Sequence, residues 1–77
     1  MQTIHVGFDN YVILSRIVAV MAPNTEPAKR LRERAEERDM LLDLKKGRKC
    51  RSIIVTDSNH VILSANLPEI LRQRVEL

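Results

Sequence analysis

The chain has 77 residues, 44% of them hydrophobic but only 3% aromatic, and a formal charge of +3. A core this small supplies roughly 3–5 kcal/mol unless disulfides, a metal or self-association add to it. Cys50 is the only cysteine and no Cys/His cluster has zinc-ligand spacing, so an internal disulfide is excluded and oligomerisation is the expected supplement.

In chain order, the N-terminal Met1-Gln2-Thr3-Ile4-His5 lacks the basic and long apolar regions of a secretory leader. Gln2 to Val6 alternates polar and apolar and predicts a half-buried strand ending at Gly7. Phe8-Asp9-Asn10 reads as a turn, because Asp and Asn bond to nearby backbone and tolerate unusual dihedrals. Tyr11 to Ser15 fits either a strand or a short helical turn. Arg16 to Met21 is rich in β-branched residues and predicts a buried strand that stops at Ala22-Pro23. The longest apolar run, Ile17 to Ala22, falls far short of the ~20 residues a bilayer span needs. No membrane association is therefore expected, and with a lone cysteine the expected location is the cytoplasm.

A first helix is predicted from Asn24-Thr25-Glu26-Pro27 to Met40–Asp43, with a capping side chain, an early acid and an early proline. Ala28, Leu31, Ala35 and Leu42 mark its apolar stripe. Lys29/Glu33 and Arg32/Glu36 are spaced for surface pairs worth about 0.3 kcal/mol each. Ser52–Thr56 and His60–Ser64 flank Asp57-Ser58-Asn59 and make the clearest hairpin in the chain. Leu67-Pro68-Glu69 opens a last short helix running through Val75, with Ile70, Leu71 and Val75 on one side. The order β-β-α-β-β-α in a single domain over residues 1–77 is an α+β fold with a mainly antiparallel sheet.

The charge is not spread evenly. Residues 45 to 51, Lys-Lys-Gly-Arg-Lys-Cys-Arg, hold five basic side chains and no acid, while the rest of the chain is slightly acidic. Concentrated positive charge without interleaved acids is the footprint of a polyanion-binding surface. Arg48 and Arg51 match phosphate bidentately or guanine base edges, and Lys45, Lys46 and Lys49 add point charges that displace counterions. Scarcity of aromatic residues argues against stacking single strands, and double-stranded DNA is the expected partner, with RNA the alternative. Arg16 is a second candidate contact, standing between Ser15 and an apolar strand with no acid within six residues. Its partner is a phosphate, a neighbouring subunit's carboxylate or a carboxylate of its own fold.

Catalytic readings are thin. His5 and His60 fall in strands, and Asp57 and Ser58 read as turn-closing side chains rather than partners of His60. Cys50, between Lys49 and Arg51, is a redox-sensitive candidate but has no accompanying base or oxyanion loop. No phosphate-cradling glycine loop, metal site or cofactor site is expected, and the chain is read as a non-enzyme without a small-molecule substrate. Two rivals to DNA binding remain. One is an RNA-binding or ribosome-associated protein using the same loop. The other is a structural oligomer whose basic loop meets the acids of helix 26–43 on a neighbour.

Arg16-Ile-Val-Ala-Val, Ala22-Pro23, Pro27-Ala-Lys-Arg30, Gly47-Arg48-Lys-Cys-Arg51 and Thr56-Asp-Ser-Asn-His-Val-Ile-Leu-Ser64 together resemble the RemA family, small bacterial regulators of extracellular matrix genes. The likeness runs from about Ile4 to Leu71, with the segments in order and at family spacing. It implies a transcription factor that activates biofilm matrix operons, with a fold similar to LytTR-type DNA-binding domains. It also implies ring-shaped homo-oligomers, typically octamers, that hold DNA on a positive rim. Arg48, Lys49 and Arg51 match the family's basic loop, Arg16 its strand-leading arginine and Pro27 its helix-opening proline. The family loop usually reads Gly-Arg-Arg-Thr-Arg, so Lys49 and Cys50 depart from it, as does Asp9, where glycine is common.

Overall fold

The computed structural model describes residues 2–75. A hairpin of β1 (Thr3–Gly7) and β2 (Asn10–Ile13) leads through a single 3-10 turn, Leu14–Arg16, into β3 (Ile17–Met21). Helix α1 (Glu26–Glu37), β4 (Leu41–Asp43), β5 (Ser52–Thr56), β6 (Val61–Ser64) and α2 (Pro68–Gln73) follow. The fold is α+β, as the pattern predicts. β1 and β2 form their own antiparallel pair, and the remaining strands make a second sheet in the order β3-β5-β6-β4. Among the described residues only the β4–β6 pairing is parallel.

Neighbouring residues on a strand face opposite ways, and Ile53 and Ile54 are both fully buried. The central sheet is therefore covered on both sides. Ile53, Val61 and Leu63 pack with Ala28 and Ala35 of α1. Ile54 and Ile62 pack on the other side with Ile4 and Val6 of β1 and Leu71 of α2. The small side chains of Ala28 and Ala35 let α1 lie close to the sheet.

The hairpin is tied to the sheet by polar contacts as well. Buried Ser64 donates its hydroxyl to the Val6 carbonyl at 2.8 Å, and Asn66 Nδ2 donates to the same oxygen at 3.0 Å. The Ser64 hydroxyl in turn accepts from the Asn66 amide at 3.1 Å. Gly7 sits beside this junction with φ of +111°, and a Cβ there would stand 2.6 Å from Asn66 Nδ2.

Several elements depart from expectation. Helix α1 ends at Glu37, not in 40–43. Asp39 adopts φ of +57°, and the amides of Asp39 and Met40 bond back to the carbonyls of Glu36 and Ala35. That is a Schellman stop, usually made by glycine, with Asp in its place. Leu42 consequently belongs to a short strand, β4, and not to the helical stripe. Neither Lys29/Glu33 nor Arg32/Glu36 closes into an ion pair among the described residues. The ambiguous Tyr11–Ser15 segment resolves into both alternatives, strand to Ile13 and then the 3-10 turn. β3 is an edge strand rather than a buried one, with Val18 67% exposed. α2 stops at Gln73, and Ile70 is turned outward while Leu71 is buried.

Candidate nucleic-acid interface

The basic stretch is the connection from β4 to β5. Lys45 to Arg48 makes a tight turn closed by the Arg48 amide donating to the Lys45 carbonyl at 3.1 Å. Both central residues are left-handed, Lys46 at φ +53° and Gly47 at +76°. A Cβ at Gly47 would meet nothing within 4 Å, so glycine serves the backbone conformation there and not a close approach. At its far end the loop is pinned by the Arg51 amide, which donates to the Ser64 carbonyl at 2.8 Å. A loop held at both ends presents its side chains with little freedom to lose.

The six candidate cations fall into three groups. Lys46, Arg48, Lys49 and Arg51 are exposed on the loop, and among the described residues none is engaged by a carboxylate. Lys45 is turned inward, its side chain only 12% exposed, and its Nζ donates to Asp43 Oδ2 at 2.7 Å. Asp43 Oδ1 also accepts from the Lys45 amide at 3.0 Å. These two bonds from Lys45 hold the Asp43 carboxyl below its ordinary range.

Arg16 lies at the opposite end of β5, about 20 Å from Arg51 at the usual rise per strand residue. Of the partners open to it, it takes a carboxylate of its own fold. Its Nε donates to both Asp57 oxygens, at 2.7 and 2.9 Å. Both side chains are about half exposed, and the two Nη groups have no acceptor among the described residues. The Asp57 carboxylate is thus committed to Arg16 instead of closing the turn. Ser58 does close it, with its hydroxyl 2.9 Å from Thr56 Oγ1 and 2.7 Å from His60 Nδ1. Cys50 is partly buried and its thiol donates to the Ser52 carbonyl at 3.4 Å.

Phe8, a turn residue by its sequence context, also belongs to this surface. Lys46 Nζ lies 5.3 Å and Arg48 Cζ 5.7 Å from its ring centroid, within cation–π range. Two adjoining depressions of about 300 Å³ each meet at Arg48 and Ala65. One continues to Lys49 and Arg51, the other to His5, Phe8, Asn66 and Arg74. Arg74 donates from Nη1 to the His5 carbonyl at 2.8 Å, which docks the C-terminal helix against β1. Nothing local to residues 5–10 in the sequence signals that this tip meets a loop 38 residues away.

Away from the loop, Ile4, Leu14, Ile17, Val20, Leu71 and Val75 line an apolar groove of about 460 Å³. Ile17 and Val20 bring β3, an edge strand, into its wall. Among the described residues no helix is long and apolar enough to cross a membrane.

Comparison with known proteins adds an independent line. The RemA-like family, described as extracellular matrix regulatory protein A-like, matches residues 3–75. A protein of Nitratidesulfovibrio vulgaris (strain DSM 19637 / Miyazaki F) named "Putative regulatory protein" is 55% identical over 73 residues, spanning 95% of this chain and 83% of its own length. Similarly named proteins of Thermodesulfovibrio yellowstonii and Shouchella clausii are 50% and 46% identical, and each aligns over 85% of its own length. They cover 94% and 96% of this chain, respectively.

Proposed function

This chain belongs to the RemA-like family, and on that premise we propose that it is an oligomeric regulator that binds double-stranded DNA and activates extracellular matrix genes of a biofilm. The observation that carries the reading is the loop itself. Lys46, Arg48, Lys49 and Arg51 project from one anchored turn, and the acid next to them in sequence, Asp43, is occupied by Lys45. Such a loop matches a phosphate backbone, and contacts to phosphates outnumber the base-edge contacts its two arginines could make. Affinity then comes from phosphate neutralisation and counterion release, with sequence preference arising from how readily the duplex deforms. Arg16, whose Nη groups are uncommitted, is an outlying contact at the other end of β5.

One loop holds too few phosphates to bend a duplex, which costs about 1–6 kcal/mol for a 40–90° bend. Several copies arranged in a ring, as in an octamer, act together and gain by avidity. Two features favour self-association. β3 is an edge strand of Ile-Val-Ala-Val-Met with no lysine, proline or inward charge to protect it. The apolar groove beside it leaves Ile17 and Val20 without full cover. No chemistry is assigned to the protein itself.

The test is affinity for duplex DNA against salt, for the unmodified chain and for Arg48→Ala/Arg51→Ala. Each lost phosphate contact reduces the magnitude of the log–log slope by about 0.9. An unchanged slope removes the loop from the interface. A preference for structured RNA over duplex of equal length overturns the DNA reading. Dissociation of the double variant to monomers, seen by light scattering, makes the loop a subunit contact instead.

A further inference from the structure

The tip of the β1–β2 hairpin has a feature that the phosphate-binding loop does not require. The turn is two residues long, Phe8 and Asp9, with φ of +52° and +62°. Turns of this shape favour asparagine and glycine, and a bulky side chain with positive φ is a genuine outlier. The strain is held in place from several sides. Asn10 Nδ2 donates to the carbonyls of Gly7 and Phe8, and the Asp9 amide donates to His5 Nε2. Strained residues fixed by their surroundings cluster at ligand clamps and contact points. The core does not explain Phe8 either, because its side chain stays 37% exposed and belongs to neither apolar cluster.

The ring's neighbours are the cations of the loop. Lys46 and Arg48 each sit between 5 and 6 Å from its centroid. The minor groove of B-form DNA is about 6 Å wide, so a half-exposed ring entering it would carry cations 5–6 Å from its centroid to the phosphates along the groove. Apolar side chains placed this way wedge between base steps and kink the duplex. Asp9 follows Phe8 in the turn and is the carboxylate of this tip, while Arg48, Lys49, Arg51 and Arg74 line the two adjoining depressions.

We propose that Phe8 is a DNA-contacting wedge, entering the minor groove at a deformable base step while Lys46 and Arg48 take the flanking phosphates. This rests on the DNA-binding reading above and names the element that would produce the bend that reading requires. The experiment compares the full chain with Phe8→Ala, Phe8→Asn and Phe8→Leu on a duplex of ~30 base pairs carrying a fluorophore at each end, within the length range of measurable protein-induced bends. Thermal melting confirms that each variant folds. Phe8→Asn relaxes the turn, so it melts no lower than the unmodified chain, yet it and Phe8→Ala bind about fivefold or more weakly and lose the transfer signal of the bend. Phe8→Leu, which keeps an apolar wedge, retains most of the bend. Unchanged binding and bending by the Ala and Asn variants would sink the wedge and leave the phosphate loop standing. A Leu variant as poor as Ala would reduce the ring to a seat for the two cations, which also overturns the proposal. Failure of the unmodified chain to bind duplex at all removes the DNA reading and the wedge together.

Discussion

Replacing Gly7 with alanine puts a methyl group where the hairpin meets the sheet. At φ of +111° an L-residue is strained, and the new Cβ stands 2.6 Å from Asn66 Nδ2. The backbone strain costs about 1–2 kcal/mol. The Asn66 amide cannot yield freely, since Nδ2 is bonded to the Val6 carbonyl, and moving it forfeits a hydrogen bond worth about 1 kcal/mol. Alanine's stiffer unfolded chain returns about 0.5 kcal/mol. The net loss is then about 1.5–2.5 kcal/mol, a large part of what a core this small supplies. Urea unfolding at one fixed protein concentration measures it, because self-association would otherwise shift the midpoint. The companion variant Asn66→Ala isolates the collision. With the amide gone, Gly7→Ala should cost only its backbone strain, so the pair falls short of additivity by about 1 kcal/mol. A Gly7→Ala chain within 0.5 kcal/mol of the parent, on the order of ordinary surface changes, would refute the reasoning, and strict additivity would show that Asn66 is not what the methyl meets.

Two further outcomes follow from the ion pairs. Asp43 titrates below its ordinary range because Lys45 bonds its charged form, so the native state binds fewer protons and gains stability above pH ~4, losing it as pH falls through the lowered value. Asp43→Asn is therefore less stable than the parent at pH 7, by under about 1 kcal/mol for so exposed a carboxylate, and the difference closes toward pH ~3 in urea titrations. A gap that widens with acid would reverse the assignment. Arg16→Gln breaks the pair with Asp57, also half exposed, and should cost under about 1 kcal/mol in low salt and nothing resolvable in 1 M salt, where the screening length is about 3 Å. A loss that persists in high salt would mean that packing, not charge, fixes Arg16.

How much of this was legible in the residues depends on how far apart the interacting partners are. The β5–β6 hairpin could be read directly because its β-branched runs and its Asp-Ser-Asn turn lie within thirteen residues. The end of α1 could not, because Asp39 takes a conformation that sequence patterns credit to glycine. β4 has three residues and its parallel partner starts twenty positions later, so no local periodicity marks it. β3 reads as buried by composition, but composition does not say which strand ends up at a sheet's edge. The cationic loop was visible as a charge cluster. That Lys45 folds inward onto Asp43, that Arg16 finds Asp57 and that Phe8 lies under Lys46 and Arg48 are all matters of tertiary placement.

Among the described residues, five side-chain-bearing positions, Phe8, Asp9, Asp39, Lys46 and Asn59, turn through the left-handed region, against two glycines that do so. Asp9, Asp39 and Asn59 are of the types that tolerate that region, whereas Phe8 and Lys46 are poorly suited to it. Exchanging each for glycine, one at a time, would sort corners that exist to reverse the chain from corners that exist to display something. The first kind should tolerate the exchange, and the second should lose an ability while the scaffold stays whole.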